Sequence, residues 1–568
     1  MALNDVTNNG IASTMLLNRK PSSQQQQQNG FTTKAKTLDD ILFELKPYGR
    51  YQLFCHVVIV WLGVLGAGHF SGSFYSLGGM KPTYECADTD QPWLAANRSN
   101  RSIANQLSDR DRIRADRCSM VTKCVNLTVH TAFHSIYEEF EWDCLPAWLT
   151  STLASASTIV GIAGYLLAGF LSDTFGRRKI TILSKMAYAA AGFALALVPN
   201  WQAYAALHMV QAFMLPMCLG TMYGLLQETV CVKHRLAQGF AFQWIVGYMV
   251  SGLLAFLLPE WRNYLTGLTV ITLPPVCALI FLEESPRWLL QRGRVEETCA
   301  VLNRIAGWNR VSVRYTVDEL EHVDLGPRHN KRRFEHPLRI FGSCEMAKHA
   351  LALCMIEIVY RQIYYIVLMD VKNLAGNPFV NVALLGAARI WVPLLTVALD
   401  QQFVWCGRRL LILVSLAACT LCFVGMSLTL QLHISFGIDM GALGTAGALG
   451  GYALAAGMVW NCLKQLICEL YPTEMRVTAV NAISVLGYIG NNLAAQLVYG
   501  AHFWSPMPYV VTAAMCVLTC AISMAVLPET KNEPLLDTLE QLDEEEKKRS
   551  IVATHHELEV INSNNMMM

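Results

Sequence analysis

Charge is scarce in this sequence. Asp, Glu, Lys and Arg together make 15% of its 568 residues, whereas soluble domains carry about 25%, which excludes an ordinary water-soluble globule of this length. The two signs nearly cancel, leaving a formal net charge of +1, so no basic surface for nucleic acid is indicated. Also missing are a glycine loop to cradle nucleotide phosphates, a metal-ligand cluster and a catalytic triad. The sequence therefore points to no enzyme, no cofactor and no metal. No cleavable leader precedes the first long apolar run, which is expected to act as its own targeting signal.

What the chain has in quantity is apolar surface: hydrophobic residues make 53% of it, and the mean hydropathy is +0.32. A helix crossing the hydrocarbon core needs about 20 apolar residues. Runs of that kind occur at 51–73, 148–171, 180–199, 203–227, 237–258 and 264–282, then at 349–369, 379–399, 409–430, 440–463, 477–500 and 508–528. Six runs followed by six predict an all-α membrane protein with twelve transmembrane helices in two six-helix halves, 51–282 and 349–528. Around them lie a polar leader at 1–50, a linker at 283–348 and a charged tail at 529–568. The leader, with its glutamine run at 24–28, reads as disordered. Gly161, Gly164, Gly169, Gly441, Gly444 and Gly447 are expected to serve close helix contact.

Cations set the orientation. Arg177, Arg178, Lys179, Lys233, Arg235, the basic run 328–339, Arg408 and Arg409 all fall in loops of one parity. Those loops and both termini are expected in the cytosol. On the opposite side the loop 74–147 is long and carries Cys86, Cys118, Cys124 and Cys144. The outside is oxidising and a loop without its own core needs covalent ties, so two disulfides are expected, in any of three connectivities, from these four cysteines. Asn97, Asn100 and Asn126 of the same loop head Asn-X-Ser/Thr triplets and are expected to be glycosylated.

Between the second and third runs stands Gly169-Phe170-Leu171-Ser172-Asp173-Thr174-Phe175-Gly176-Arg177-Arg178-Lys179, which resembles the signature loop of the major facilitator superfamily. Glu284-Ser285-Pro286-Arg287-Trp288-Leu289-Leu290 follows the sixth run, Glu469-Leu470-Tyr471-Pro472-Thr473-Glu474-Met475-Arg476 the tenth, and Pro528-Glu529-Thr530-Lys531 the twelfth. With the cysteine loop, these motifs narrow the resemblance to the organic cation/anion/zwitterion transporter family of that superfamily, over about residues 45–535. Within that family the chain looks most like an organic cation transporter. The resemblance implies a plasma-membrane carrier in which two rocking halves give alternating access to a midplane site.

Asp173, Arg177, Arg178, Glu228, Arg235, Glu284, Arg287, Glu469 and Arg476 sit where an acid can pair with cations, or with a helix end of the opposite half. Such a lattice must break each time an inward gate opens. The other reading is topological: arginines hold loops in the cytosol and glutamates neutralise them. Before Gly407-Arg408-Arg409 the family's acid is replaced by Val404, with Asp400 one helical turn earlier, which puts the symmetry of the two gates in doubt. His208 stands where the superfamily usually has an intramembrane arginine.

Ionisable side chains inside a bilayer usually face a cavity or a partner. The seventh run is richest in them, with Glu357 and Arg361 at helical spacing beside Tyr360 and Tyr364. Glu357 is expected to attract a cationic amine, unless it and Arg361 form a self-neutralised structural pair. Trp61, Trp244, Tyr248, Trp391 and Tyr488 are the other aromatic candidates to hold a quaternary ammonium. Tyr488 occupies a position where cation carriers of the family have Asp and anion or zwitterion carriers have Arg. Lys464 and Arg389 argue toward anions, although Lys464 lies where it can snorkel to the surface. The expected function is potential-driven transport of small organic cations by a polyspecific carrier. The alternatives are a zwitterion carrier for carnitine-like molecules, an organic anion carrier and a surface receptor that does not transport.

Overall fold

A long apolar segment in hydrocarbon has no water to bond its amides, so it must satisfy them within its own helix. The computed structural model describes residues 38–74, 76–86, 118, 124, 127–146, 148–230, 244–321, 341–342, 344–403, 405–471 and 476–530. Its longer helices are α1 (Leu38–Glu44), α2 (Arg50–Gly72), α3 (Trp148–Phe175), α4 (Arg177–Leu195), α5 (Trp201–Gln227), α6 (Ile245–Leu257), α7 (Trp261–Ala278), α8 (Pro286–Gln291) and α9 (Val295–Asn309). They continue with α10 (Cys344–Asp370), α11 (Pro378–Ala387), α12 (Trp391–Gln402), α13 (Arg408–Phe436), α14 (Gly441–Leu454), α15 (Trp460–Leu470), α16 (Arg476–Gly500) and α17 (Met507–Val526). Among the described residues, nine helices are long and apolar enough to cross a membrane. The runs expected at 180–199 and 477–500 contain α4 and α16, and the described part of the run 237–258 contains α6, none of them meeting that length and apolarity together.

The leader is not uniformly disordered: its last part forms α1. Leu38, Ile41 and Leu42 recur at helical spacing and are buried in the same small core as Val301, Leu302 and Ile305 of α9, separate from the main one. Asn309 ties this module to α2, accepting from the Tyr51 amide at 2.9 Å and donating to the Leu45 carbonyl at 2.7 Å. The long loop adds a small antiparallel ribbon, β1 (Thr83–Cys86) on β2 (Leu127–His130), to the expected all-helical fold. Cys118 is bonded to Cys144, and Cys124 is also in a disulfide. Asn97, Asn100 and Asn126 lie outside the described residues.

The two halves meet toward the end of the bundle that carries the cysteine loop. There Phe133 packs on Phe379 at 6.2 Å between ring centres, and Gln496 donates to Ser155 at 2.9 Å. Lys372, just past α10, reaches over to the first half, where a Cβ on Gly79 would stand 2.5 Å from its ammonium. Burial, with Lys81 adding repulsion and Asp370 opposing, pushes Lys372 down to about 7 from its ordinary 10.5. Between those values the unfolded chain binds a proton that the folded chain does not, so this group makes stability rise with pH over that window and leaves it flat below. Lys372→Met should therefore flatten a melting-temperature series from neutral to alkaline pH; a slope equal to wild type would refute the assignment.

Candidate functional site

Helix α10 comes close to α16 because α16 presents Gly487 and Gly490 at the contact. A Cβ on Gly490 would strike the Ile358 carbonyl, and one on Gly487 the Glu357 side chain. This close approach seats Glu357 with no exposure at all. Its Oε1 accepts from Arg361 Nε at 2.9 Å and its Oε2 from Lys464 Nζ at 3.2 Å. Lys464 also donates to Ser484 at 2.7 Å, and the Arg361 guanidinium lies 4.7 Å from the centre of the Tyr488 ring. Tyr488 in turn stands against Gly161 of α3, at the meeting of the two halves.

A third cation, Arg389, follows α11 and is 4% exposed. It donates to the Ala456 carbonyl at 3.1 Å and to the Tyr452 hydroxyl at 3.3 Å, while its Nε has no partner. Ala456 belongs to the π turn Ala455–Val459 between α14 and α15, a geometry that shifts carbonyls out of the regular helical ladder. No carboxylate pairs with Arg389 among the described residues. Tyr248, Tyr360, Tyr364 and Tyr452 surround it. Tyr248 of the first half is hydrogen-bonded to Tyr364 of the second, whose ring lies 5.4 Å from that of Tyr452. Among the described residues at this level there is one carboxylate, Glu357, and three cations, Arg361, Arg389 and Lys464, a balance of two positive charges.

Trp244 joins the edge of this group, its ring 5.6 Å from Phe70 and packed over Gly63 and Gly66 of α2. It opens α6 in the left-handed region, φ +56°, which bulky residues seldom enter and which marks a constrained position. Trp391 is 48% exposed and makes no ring contact with these tyrosines among the described residues. Glu357, Arg361 and Tyr488 lie together, with Tyr360 and Tyr364 on the same helix, and Glu357 spends both oxygens on protein cations.

At the other end of the bundle the charged residues form two clusters, one in each half. In the first, Glu284 accepts from the amides of Arg177 and Arg178 at 3.0 Å each, a carboxylate on the positive end of α4. Gly176 permits this with φ +102°, since a Cβ there would crowd that carboxylate. Arg177 pairs with Glu228, which also accepts from Ser285, and lies 3.5 Å from Asp173. Burial pushes the Glu228 carboxyl up while Arg177 and Ser285 draw it down. Arg178 caps the Ile280 carbonyl at 2.7 Å, and Arg287 pairs with Asp39 of α1 at 3.0 Å.

The second cluster repeats the first. Glu529 accepts from the Arg408 amide at 2.9 Å, Arg408 pairs with Glu469 at 3.2 Å, Thr530 donates to Glu469, and Arg409 caps the Met524 carbonyl. Among the described residues each ion pair at this end joins groups of one half. The reason is local, because Glu284 and Glu529 each sit on the segment leaving the last helix of their own half. Glu529 and Thr530, noted in the sequence only as a family ending, take the places that Glu284 and Ser285 hold in the first cluster. Arg235 and the side chains of Asp400 and Arg476 lie outside the described residues.

Residues 118–542 match the family model for sugar (and other) transporters. The organic cation transporter protein of Drosophila melanogaster is 25% identical over 533 residues, covering 88% of this chain and 94% of that one. The human organic cation/carnitine transporter 2 is 26% identical over 413 residues, 71% of each chain. Among solved structures, the inward-open xylose transporter XylE from E. coli aligns over 87% of this chain and 100% of its own, with a TM-score of 0.57 and 15% identity, a likeness of fold.

Proposed function

The chain belongs to the sugar (and other) transporter family of the major facilitator superfamily, and from that premise we propose that it is a twelve-span carrier whose preferred substrates are small organic anions. It is a membrane transporter and not an enzyme. The observation that carries the anion reading is the charge count at the meeting of the halves: among the described residues Arg389 has no carboxylate partner, and Glu357 is already neutralised twice over. A cation buried without a counter-charge costs several kcal/mol. An arriving carboxylate removes that cost, while a second cation adds to it. The tyrosines suit an aromatic or otherwise apolar body on the same substrate.

A second reading, transport of organic cations, is favoured by the names of the two relatives and by the tyrosine faces themselves. Uptake of a labelled aromatic carboxylate, tetraethylammonium and carnitine into proteoliposomes at imposed potentials separates the two. An anion carrier should move the carboxylate faster with the interior positive, since each charge is worth about 2.3 kcal/mol per 100 mV. Uptake of tetraethylammonium alone would sink the anion reading.

Transport proceeds in this proposal by alternating access in the plasma membrane, with the arginine-rich turns and both termini cytosolic and Asn97, Asn100 and Asn126 glycosylated outside. Contact at the cysteine-loop end and two self-contained clusters at the other correspond to a carrier open toward the cytosol. Closing that side would set the clusters against each other as a gate. Asp173→Asn should leave the amount at the cell surface nearly unchanged yet slow uptake severalfold; equal uptake at equal surface amount would remove Asp173 from the gate.

A further inference from the structure

The first half holds a second group of polar side chains that takes no part in the site above. Lys185, midway along α4, is 1% exposed, and among the described residues neither a carboxylate nor a hydrogen-bond acceptor pairs with it. Its ammonium lies 5.1 Å from the centre of the Tyr188 ring. His69, in the last turn of α2, packs edge-on against the same ring at 5.3 Å and leaves Nε2 without a partner. Gln211 of α5 leaves its Nε2 without an acceptor as well. These two side chains converge on Gly192 of α4, where a Cβ would stand 2.9 Å from Gln211 Nε2 and collide with the His69 ring.

His208, three residues before Gln211, stacks on Tyr204 at 5.9 Å and meets Phe74 at 5.3 Å. The remaining titratable neighbours are Cys218 of α5, within electrostatic reach of Lys185, and Tyr264 of α7, which turns aside to donate to the Gly68 carbonyl at 2.9 Å. No acid belongs to this group among the described residues. A buried ammonium without a counter-charge loses more than the face of one ring returns. Lys185 can therefore keep a proton only in an arrangement of the half that lets water or a counter-charge reach it. Two imidazoles lie between Lys185 and the cysteine-loop end, since His69 closes α2 and His208 stands near the start of α5.

We propose that Lys185, with His69 and His208, is a proton-binding site that couples solute movement to a proton entering from the cysteine-loop side. The step is a protonation: the Lys185 Nζ lone pair takes a proton relayed through an imidazole, and the imidazole recovers one from water. With the organic anion proposed above, the coupled movement is symport, and for its substrate this inference rests on that reading.

The test uses full-length protein in proteoliposomes with the membrane potential clamped at zero and an aromatic sulfonate as probe, which stays ionised and does not leak as a neutral acid. An outside-acid pH gradient should raise initial uptake severalfold. Lys185→Met should abolish that response, and His69→Gln should weaken it, while both keep probe counterflow at equal pH. A wild type indifferent to the gradient, a Lys185→Met variant that responds as wild type does, or stimulation that follows a chloride gradient instead would each overturn the proposal. Should the sulfonate not move at all, the anion reading fails, and the site is judged by a pH-dye titration in weakly buffered detergent. There, wild type taking up more protons than Lys185→Met on acidification supports the site, and equal uptake refutes it.

Discussion

Arg389→Gln is expected to cut uptake of an aromatic carboxylate by about 30-fold or more, because removing one partner of a buried charged pair typically costs about 2–5 kcal/mol, and about 1.4 kcal/mol is a factor of ten. Among the described residues Arg389 meets no carboxylate, so in the anion reading its counter-charge is the substrate itself. Arg389→Lys should fall between, since it keeps the charge but loses the planar fork that reaches the Ala456 carbonyl and the Tyr452 hydroxyl together. Uptake per carrier at the cell surface is the measurement. Carboxylate uptake that survives Arg389→Gln at full rate would leave the positive balance at the midplane without a transport role.

The second large effect is on stability. Glu357→Gln should destabilise the protein by about 3–5 kcal/mol, the usual result of removing one member of a buried ion pair, because it strands both Arg361 and Lys464. A lower melting temperature in detergent and a lower amount at the cell surface would show it. Removing a stranded cation should restore part of the loss, so Glu357→Gln with Lys464→Met is expected to be more stable than Glu357→Gln alone. The cation reading makes the opposite prediction: unchanged stability with selective loss of tetraethylammonium uptake. That result would return Glu357 to the role of a substrate anchor.

Several parts of the site were legible in the sequence because they depend on spacing along one helix. Glu357 and Arg361 are four residues apart, so one turn brings them together wherever the helix packs. Asp173 and Arg177 have the same spacing, and their 3.5 Å contact follows. Lys464 had no such signal as a partner of Glu357, since its contact spans 107 residues and two helices. Lys185 did carry one: it is a lone cation within the apolar run 180–199, and that alone marks it for attention. Glu284-Ser285 and Glu529-Thr530 share an acid followed at once by a hydroxyl residue, but nothing local joins them to Arg177 and Arg408, which lie 107 and 121 residues away.

Composition and hydropathy by themselves determined that this chain lives in a membrane and is helical there, since unpaired amides in hydrocarbon leave few other conformations. They also determined which helix carries the charged site. The sign of that site was decided only by tertiary packing. A carboxylate in a low-dielectric interior is worth what its neighbours make it, and the neighbours of Glu357 and Arg389 come from α14, the π turn, α15 and α16, which no local pattern connects.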